Sequence, residues 1–402
     1  MFVRSIRGIV ITVVIVLIII AIPVVQLVRP VPKPAANVLA ALPAKVAGPA
    51  PKIQWPTQGQ AALEAVGVGS FGSSGVQASV PIASVTKVMT AYLVLQKHPL
   101  QLGQQGPSIT VTPADVKTYV QDKALGESVV KVAAGEQLTE YQALEGLLLP
   151  SGNNVGSLLA KWCDGSQAAF VKEMNETAAK MGMKNTHYAD PTGYSPASQS
   201  DAVDQMKLFA KAMENPVFRQ IVGEPQAVLP VAGLVYNVDS QVGHGTIIGG
   251  KTGSTLEAGG CFVFAAQKTV AGQNVLIVGA VLGQKGAQEL EEALSASVRI
   301  AQDAQKALRP VNLLQAGAQV GTLNAAWTQP ASLTAGQSVQ AIGFGGMPIS
   351  QSFKSRTLSD AIPANAVVGT LNVTVGSQQL SVPVRTSAAI AKPKLTWRLK
   401  RL

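Results

Sequence analysis

From Gly8 to Val25 the chain carries no charge, and Thr12 is the only polar side chain in that run. About 20 apolar residues match the thickness of a bilayer core and exceed the roughly 7 to 15 of a secretory signal. Arg4 and Arg7 precede the run, so the positive-inside rule predicts residues 1–30 as a transmembrane anchor, with a cytoplasmic N-terminus and everything after it exported. A cleaved signal is the competing reading, although no small-residue cleavage site follows closely. Residues 31–55 then turn to proline, alanine and valine, with Pro32, Pro34, Pro43, Pro49 and Pro51, a composition that suits a polyproline stalk or a structureless linker.

Beyond the linker the pattern becomes that of a folded body. Residues 60–80 alternate and break at glycine and serine, which predicts a β-hairpin. Val85 to Gln96 is apolar on all sides and predicts a buried helix with Ser84 as its N-cap. TEYQALEGLLL, TAAKMGM and VDQMKLFAKAME predict further helices. IIGGKTGSTLEAGGCFVFAAQ and QNVLIVGAVLG are apolar runs bounded by glycine and predict adjacent antiparallel strands; residues 286–308 predict a long amphipathic helix. After Pro310, short Val-, Leu- and Thr-rich segments alternate between glycine turns. The expected organisation is therefore a catalytic-sized body over 56–308, a small β-rich domain over 309–390 and a basic tail over 391–402. In the tail, Leu395, Leu399 and Leu402 fall on one helical face, so it is either a short interfacial helix or a solvated end.

Composition narrows the function classes. With 402 residues, 47% of them hydrophobic and 13% charged, most of the chain must fold, in two or three domains. The net charge of +10 is spread thinly outside the tail; for an exported chain it points to lipid headgroups or wall polymers and not to nucleic acid. Cys163 and Cys261 lie in a helix and a central strand and are expected as two buried free thiols, with a bridge as the alternative. His98, His187 and His244 lack ligand spacing, so neither a metal site nor a cofactor is expected.

PIASVTKVMT places Ser84 and Lys87 three residues apart in an otherwise uncharged helix start. On a helix the two side chains share a face, and a lysine whose pKa is lowered by burial and a second cation can take a serine's proton. A helix start also aims backbone N–H groups at a developing oxyanion. The spacing alone is weak: Ser128 and Lys131 repeat it in GESVVKVAAGE, a predicted strand whose residues three apart point to opposite faces. Two further stretches add weight. LLLPSGNN holds Ser151, Gly152 and Asn153 after an apolar helix, and GGKTGST holds Lys251, Thr252 and Gly253 at a strand. SxxK, SxN and KTG in this order form the signature of penicillin-binding proteins and class A β-lactamases.

With these motifs the chain resembles the D-alanyl-D-alanine carboxypeptidases, the low-molecular-mass penicillin-binding proteins of peptidase family S11. KMGMKNTHYADPTGY and GGCFVFAA extend the resemblance over roughly residues 56–308. It implies an α/β (α+β) serine β-lactamase/penicillin-binding-protein-like transpeptidase fold, with an antiparallel central sheet and helices, followed by a small all-β domain. It implies peptidoglycan stem peptides as substrates, β-lactams as covalent inhibitors and membrane attachment through the N-terminal helix. Carried over by position, Ser84 is the acylated nucleophile, Lys87 its base and Ser151 the proton relay. Asn153 holds the substrate amide. Lys251 and Thr252 bind the terminal carboxylate, followed by Gly253, and the N–H groups of Ser84 and Ser254 form the oxyanion hole. Two departures stand out. Asn154 occupies a position where the family often has aspartate, and only Lys285 stands where many members carry a carboxylate-reading arginine. A β-lactamase is disfavoured, because the ExxLN motif of class A is absent. A D,D-transpeptidase or endopeptidase of the same fold, or a non-catalytic penicillin-binding sensor, would keep the same motif residues.

Overall fold

The structure, a computed structural model, describes residues 2–39 and 42–401. Helix α1 (Phe2–Val28) contains a stretch, Ile6–Val28, long and apolar enough to cross a membrane, with its apolar side chains from Ile6 to Val25 exposed. The Thr12 hydroxyl donates to the Gly8 carbonyl at 2.9 Å, which satisfies the one polar side chain of the uncharged run inside the helix.

The remaining helices are α2 (Lys87–Lys97), α3 (Pro113–Ala124), α4 (Glu140–Leu148), α5 (Asn153–Asp164), α6 (Gln167–Lys180), α7 (Ala202–Ala212), α8 (Pro216–Val222), α9 (Glu289–Ala307) and α10 (Leu395–Lys400). The chain divides into two units: residues 48–309 with 342–346, and the rest.

In the larger unit, five antiparallel strands form the central sheet in the order Ile247–Thr255, Gly259–Val270, Gln273–Gln284, Gln60–Ala65, Gly69–Ser74. The run read from sequence as one strand is two, broken by the turn 256–258, where Gly259 adopts φ +67°. The next two strands are joined by Ala271 and Gly272, both at positive φ, the two-residue hairpin geometry that matches strand twist. Residues 259–266 are buried without alternation. Successive strand side chains point to opposite faces, so this sheet is covered on both. Helix α9 packs on the strands Gly259–Val270 and Gln273–Gln284, while α7 packs on Gln273–Gln284 and Gln60–Ala65. Helix α2 buries eight of its eleven residues, Lys87 included, which makes it the centre of the helical part of the core. Polar caps mark the neighbouring starts: Thr112 with Asp115 and Thr139 with Gln142 form reciprocal capping boxes on α3 and α4. Cys163 and Cys261 are free thiols.

In the smaller unit a six-stranded antiparallel sheet runs Ala35–Val38, Gln319–Asn324, Ala331–Ala335, Gln378–Thr386, Val367–Val375, Ile349–Ser355. Alternate residues of Val367–Val375 and Gln378–Thr386 are buried, the signature of a sheet with one packed face. The Pro-rich stretch is thus not wholly a stalk. Ala35–Val38 is an edge strand, paired with residues 321–324, and Lys45 bridges to Pro348. The basic tail forms the six-residue α10, with Trp397 packed edge-on against Trp327 at 5.8 Å. The Arg401 guanidinium donates to the carbonyls of Gln26, Arg29 and Pro30 at the end of α1.

Candidate active site

Ser84 lies inside a 3-10 turn, Ala83–Thr86, that runs directly into α2. It is therefore not the N-cap predicted from sequence: Thr86 holds that position, and its side chain makes no capping bond. The tight turn preserves what matters chemically. The Ser84 Oγ and Lys87 Nζ are 2.6 Å apart, and Nζ also donates to the Thr192 carbonyl at 3.0 Å.

The turn is strained and held from below. Ala83 sits at φ +46°, a region that costs an L-residue about 1 kcal/mol or more. The backbone of Gly193, at φ +80°, lies so close that a Cβ there would overlap the Ala83 carbonyl and the Thr86 hydroxyl. The strand carrying KTG supports the other side: a Cβ on Gly253 would fall 2.8 Å from the Ser84 nitrogen.

Lys87 is 0% exposed, and burial first, then the Lys251 charge, pushes its pKa well below the usual lysine range. Asp190 and Glu127 pull the other way. Lys251, 1% exposed, is lowered by burial to about 7, with Asp239 opposing. Asp239, itself 2% exposed, is raised by burial to about 6. Burial thus disfavours the charged form of both lysines, and the carboxylates of Asp190 and Glu127 at Lys87 and of Asp239 at Lys251 oppose it.

Ser151 precedes α5 at φ +64°, buried, with its hydroxyl unpartnered. Asn153 opens α5; its amide donates to the Glu127 carboxylate while its Oδ1 is buried without a partner. Thr252 is buried beside Lys251. Ser254 is exposed and donates to the Glu289 carboxylate. Ser84, Asn153 and Ser254 line one cleft of about 530 Å³, with Glu127, Ser128, Tyr194 and Leu256 among its walls.

Several contributing residues were not singled out from sequence. Asp190 accepts from the N–H groups of Thr192, Gly193 and Ser195 and from the Thr192 and Ser198 hydroxyls, fixing the loop whose carbonyl holds Lys87. Its signal was DPTG, an Asp ahead of Thr and Gly, the chemistry of an Asx-type turn. Glu127 and Asp239 had no local signal at all. Ser128 and Lys131 are not on a strand but on an irregular segment with both residues exposed. Asn154 clamps that segment, accepting from the Val130 N–H and donating to its carbonyl, both at 2.9 Å. Lys285 donates to the Leu256 and Glu257 carbonyls, so its ammonium braces the turn 256–258.

The sequence model of D-alanyl-D-alanine carboxypeptidases, peptidase S11, matches residues 73–286. The chain is 35% identical over 195 residues to the D-alanyl-D-alanine carboxypeptidase DacB2 of Mycobacterium tuberculosis, covering 47% of this chain and 62% of that one. It is 33% identical over 192 residues to a D-alanyl-D-alanine endopeptidase of Pseudomonas aeruginosa, covering 46% and 58%. The chain thus spans about 60% of the length of these two relatives. The crystal structure of the Streptomyces K15 DD-transpeptidase superposes with TM-score 0.54 at 25% identity, over 62% of this chain and 98% of that one. Penicillin binding protein 5 of Haemophilus influenzae shares the fold, with TM-score 0.60 at 19% identity over 86% and 100%. The profile spans more than half of the chain and contains all three motifs that surround the cleft: the chain belongs to the D-alanyl-D-alanine carboxypeptidase family, peptidase S11.

Proposed function

We propose that the cleft removes the terminal D-alanine from peptidoglycan stem peptides through an acyl-enzyme on Ser84. The observation that carries this reading is the 2.6 Å contact between the Ser84 hydroxyl and a buried Lys87 whose pKa is strongly lowered. In the first step Lys87 Nζ takes the hydroxyl proton as Ser84 Oγ attacks the carbonyl carbon of the penultimate D-alanine. The N–H groups of Ser84 and Ser254 receive the oxyanion. As the peptide bond breaks, the proton passes through the Ser151 hydroxyl to the leaving amine. Water then attacks the ester with Lys87 again as base, releasing the shortened peptide. Lys251 and Thr252 hold the substrate's carboxylate, and Asn153 Oδ1 accepts from its amide N–H. β-Lactams acylate the same serine.

A transpeptidase or an endopeptidase of the same fold would start with the same acylation of Ser84, and proteins of both names are similar to this chain; the acceptor or the bond attacked distinguishes them. A sensor would be acylated without turnover. Helix α1 anchors the chain with its N-terminus in the cytoplasm and the cleft outside. Testing this reading takes the full chain in detergent with diacetyl-L-Lys-D-Ala-D-Ala and an assay for free D-alanine. Release that disappears in Ser84→Ala is the expected result. Penicillin labelling with no release from the wild type would overturn the carboxypeptidase in favour of a transpeptidase or sensor.

A further inference from the structure

The two units share the charge of the chain unevenly. In the smaller one, residues 1–47, 310–341 and 347–402, 13 side chains are lysine or arginine and Asp360 is the one acid. Two of the 13, Arg4 and Arg7, lie in α1. The larger unit carries 19 basic and 21 acidic side chains and is near neutral. The positive excess of the whole chain therefore belongs to the smaller unit.

The six-stranded sheet of that unit buries one face, with Leu371, Val373, Val375 and Val382 among its residues, and turns the other outward. On the outward face Ser352, Asn372 and Ser381 stand side by side on three neighbouring strands, and Ser350, Thr374 and Gln379 form the next row. The Ser381 hydroxyl donates to Asn372 Oδ1 at 2.9 Å, across the strands. Two cations stand at the other end of the same face: exposed Lys354, opposite Thr370, and half-buried Arg385, opposite Val367. Among the described residues of strands 331–335, 349–355, 367–375 and 378–386, no carboxylate, aromatic ring, leucine or isoleucine points to this side.

Hydroxyl and amide side chains both donate and accept, so their rows suit a ligand rich in hydroxyl groups. The two cations, in a unit with a single acid, favour a ligand that is also anionic. A bilayer surface would call for exposed apolar side chains, which this face lacks. We infer that the outward sheet face of the smaller unit binds an extended polyol-phosphate chain, with phosphates at Lys354 and Arg385 and hydroxyls over the rows of serine, threonine and asparagine.

The test places the full chain in phosphatidylcholine nanodiscs and follows the binding of fluorescein-labelled poly(glycerol phosphate) by anisotropy, with labelled neutral dextran beside it. Saturable binding of the phosphate polymer alone is expected, weakening between about 0.05 and 0.5 M salt. Lys354→Gln with Arg385→Gln should raise the dissociation constant roughly tenfold, and Asn372→Ala roughly threefold. Lys394→Gln with Lys400→Gln removes the same charge from the tail and should stay within about twofold. Arg385 also donates to the Asn365 carbonyl. Should the double sheet variant lose its fold in circular dichroism, exposed Lys354→Gln carries the test alone, with a loss of roughly threefold expected. An equal loss from the tail pair overturns the inference, as does binding that the sheet variants leave unchanged. Binding to phosphatidylglycerol vesicles without binding to the polymer overturns it in favour of a membrane surface.

Discussion

Ser84 with Lys87 and Ser128 with Lys131 have the same spacing, yet the two regions treat it differently. The first pair spans a 3-10 turn and the first residue of a buried helix, where the serine and lysine touch. The second lies on an irregular segment with both side chains exposed. Burial first, then the Lys251 charge, lowers the pKa of Lys87. Three residues of separation therefore encode reactivity only where the backbone brings the pair onto one face and the surroundings remove water. The second region has another use: it forms part of the cleft wall and is fastened to α5 through Asn154.

The contrast breaks most sharply at the lysines. Lys87→Met is expected to lower kcat/KM for D-alanine release by about 10³-fold or more, since it removes the base acting on the nucleophile. Lys131→Met is expected to stay within about twofold, because an exposed side chain away from the reacting atoms contributes little. A comparable loss in both would erase the distinction.

Glycines sharpen it next. Gly193→Ala pairs a positive φ with overlap against the turn beneath Ser84, and should cost about 3 kcal/mol or more in chemical denaturation. Gly126→Ala, at φ +77° beside Ser128 but with open space around it, should cost about 1 kcal/mol.

A smaller effect lies in the clamp between the regions. Asn154→Asp keeps the acceptor for the Val130 N–H but loses the donor to its carbonyl, which predicts about 1–3 kcal/mol of destabilisation.

The smallest change is a shift in a pH profile. Activity should rise as Lys87 loses its proton and fall as Lys251 loses its own, near pH 7. Asp239 supports the charged form of Lys251, so Asp239→Asn should move the falling limb of kcat/KM to lower pH. Stability follows the opposite sense. Lys251 is lowered from 10.5 to about 7, so the folded state binds fewer protons than the unfolded chain in that window, and its contribution to stability increases as pH rises across it.

Much of the site could be read from the sequence because its three motifs are local: each places its residues within one turn or strand. The central strands were legible for a related reason, since unbroken apolar runs between glycines mark strands covered on both faces, while the fold class followed from the resemblance that the motifs carry. What escaped depends on contacts between distant segments. Ser84 looked like a cap, but the Gly193 loop and the Gly253 strand hold it in a 3-10 turn. Glu127 and Asp239 acquire their roles only through Asn153 and Lys251, 26 and 12 residues away. Ala35–Val38, four residues amid prolines, has no alternation long enough to signal a strand and is ordered by its partner residues 321–324.

The central claim is that Ser84 is the nucleophile. The direct measurement incubates the full chain in detergent with benzylpenicillin, digests it and locates the added mass by tandem mass spectrometry. The account predicts the adduct on Ser84, and none on the Ser84→Ala chain. An adduct on Ser128 or Ser151, or one that persists without the Ser84 hydroxyl, would contradict it.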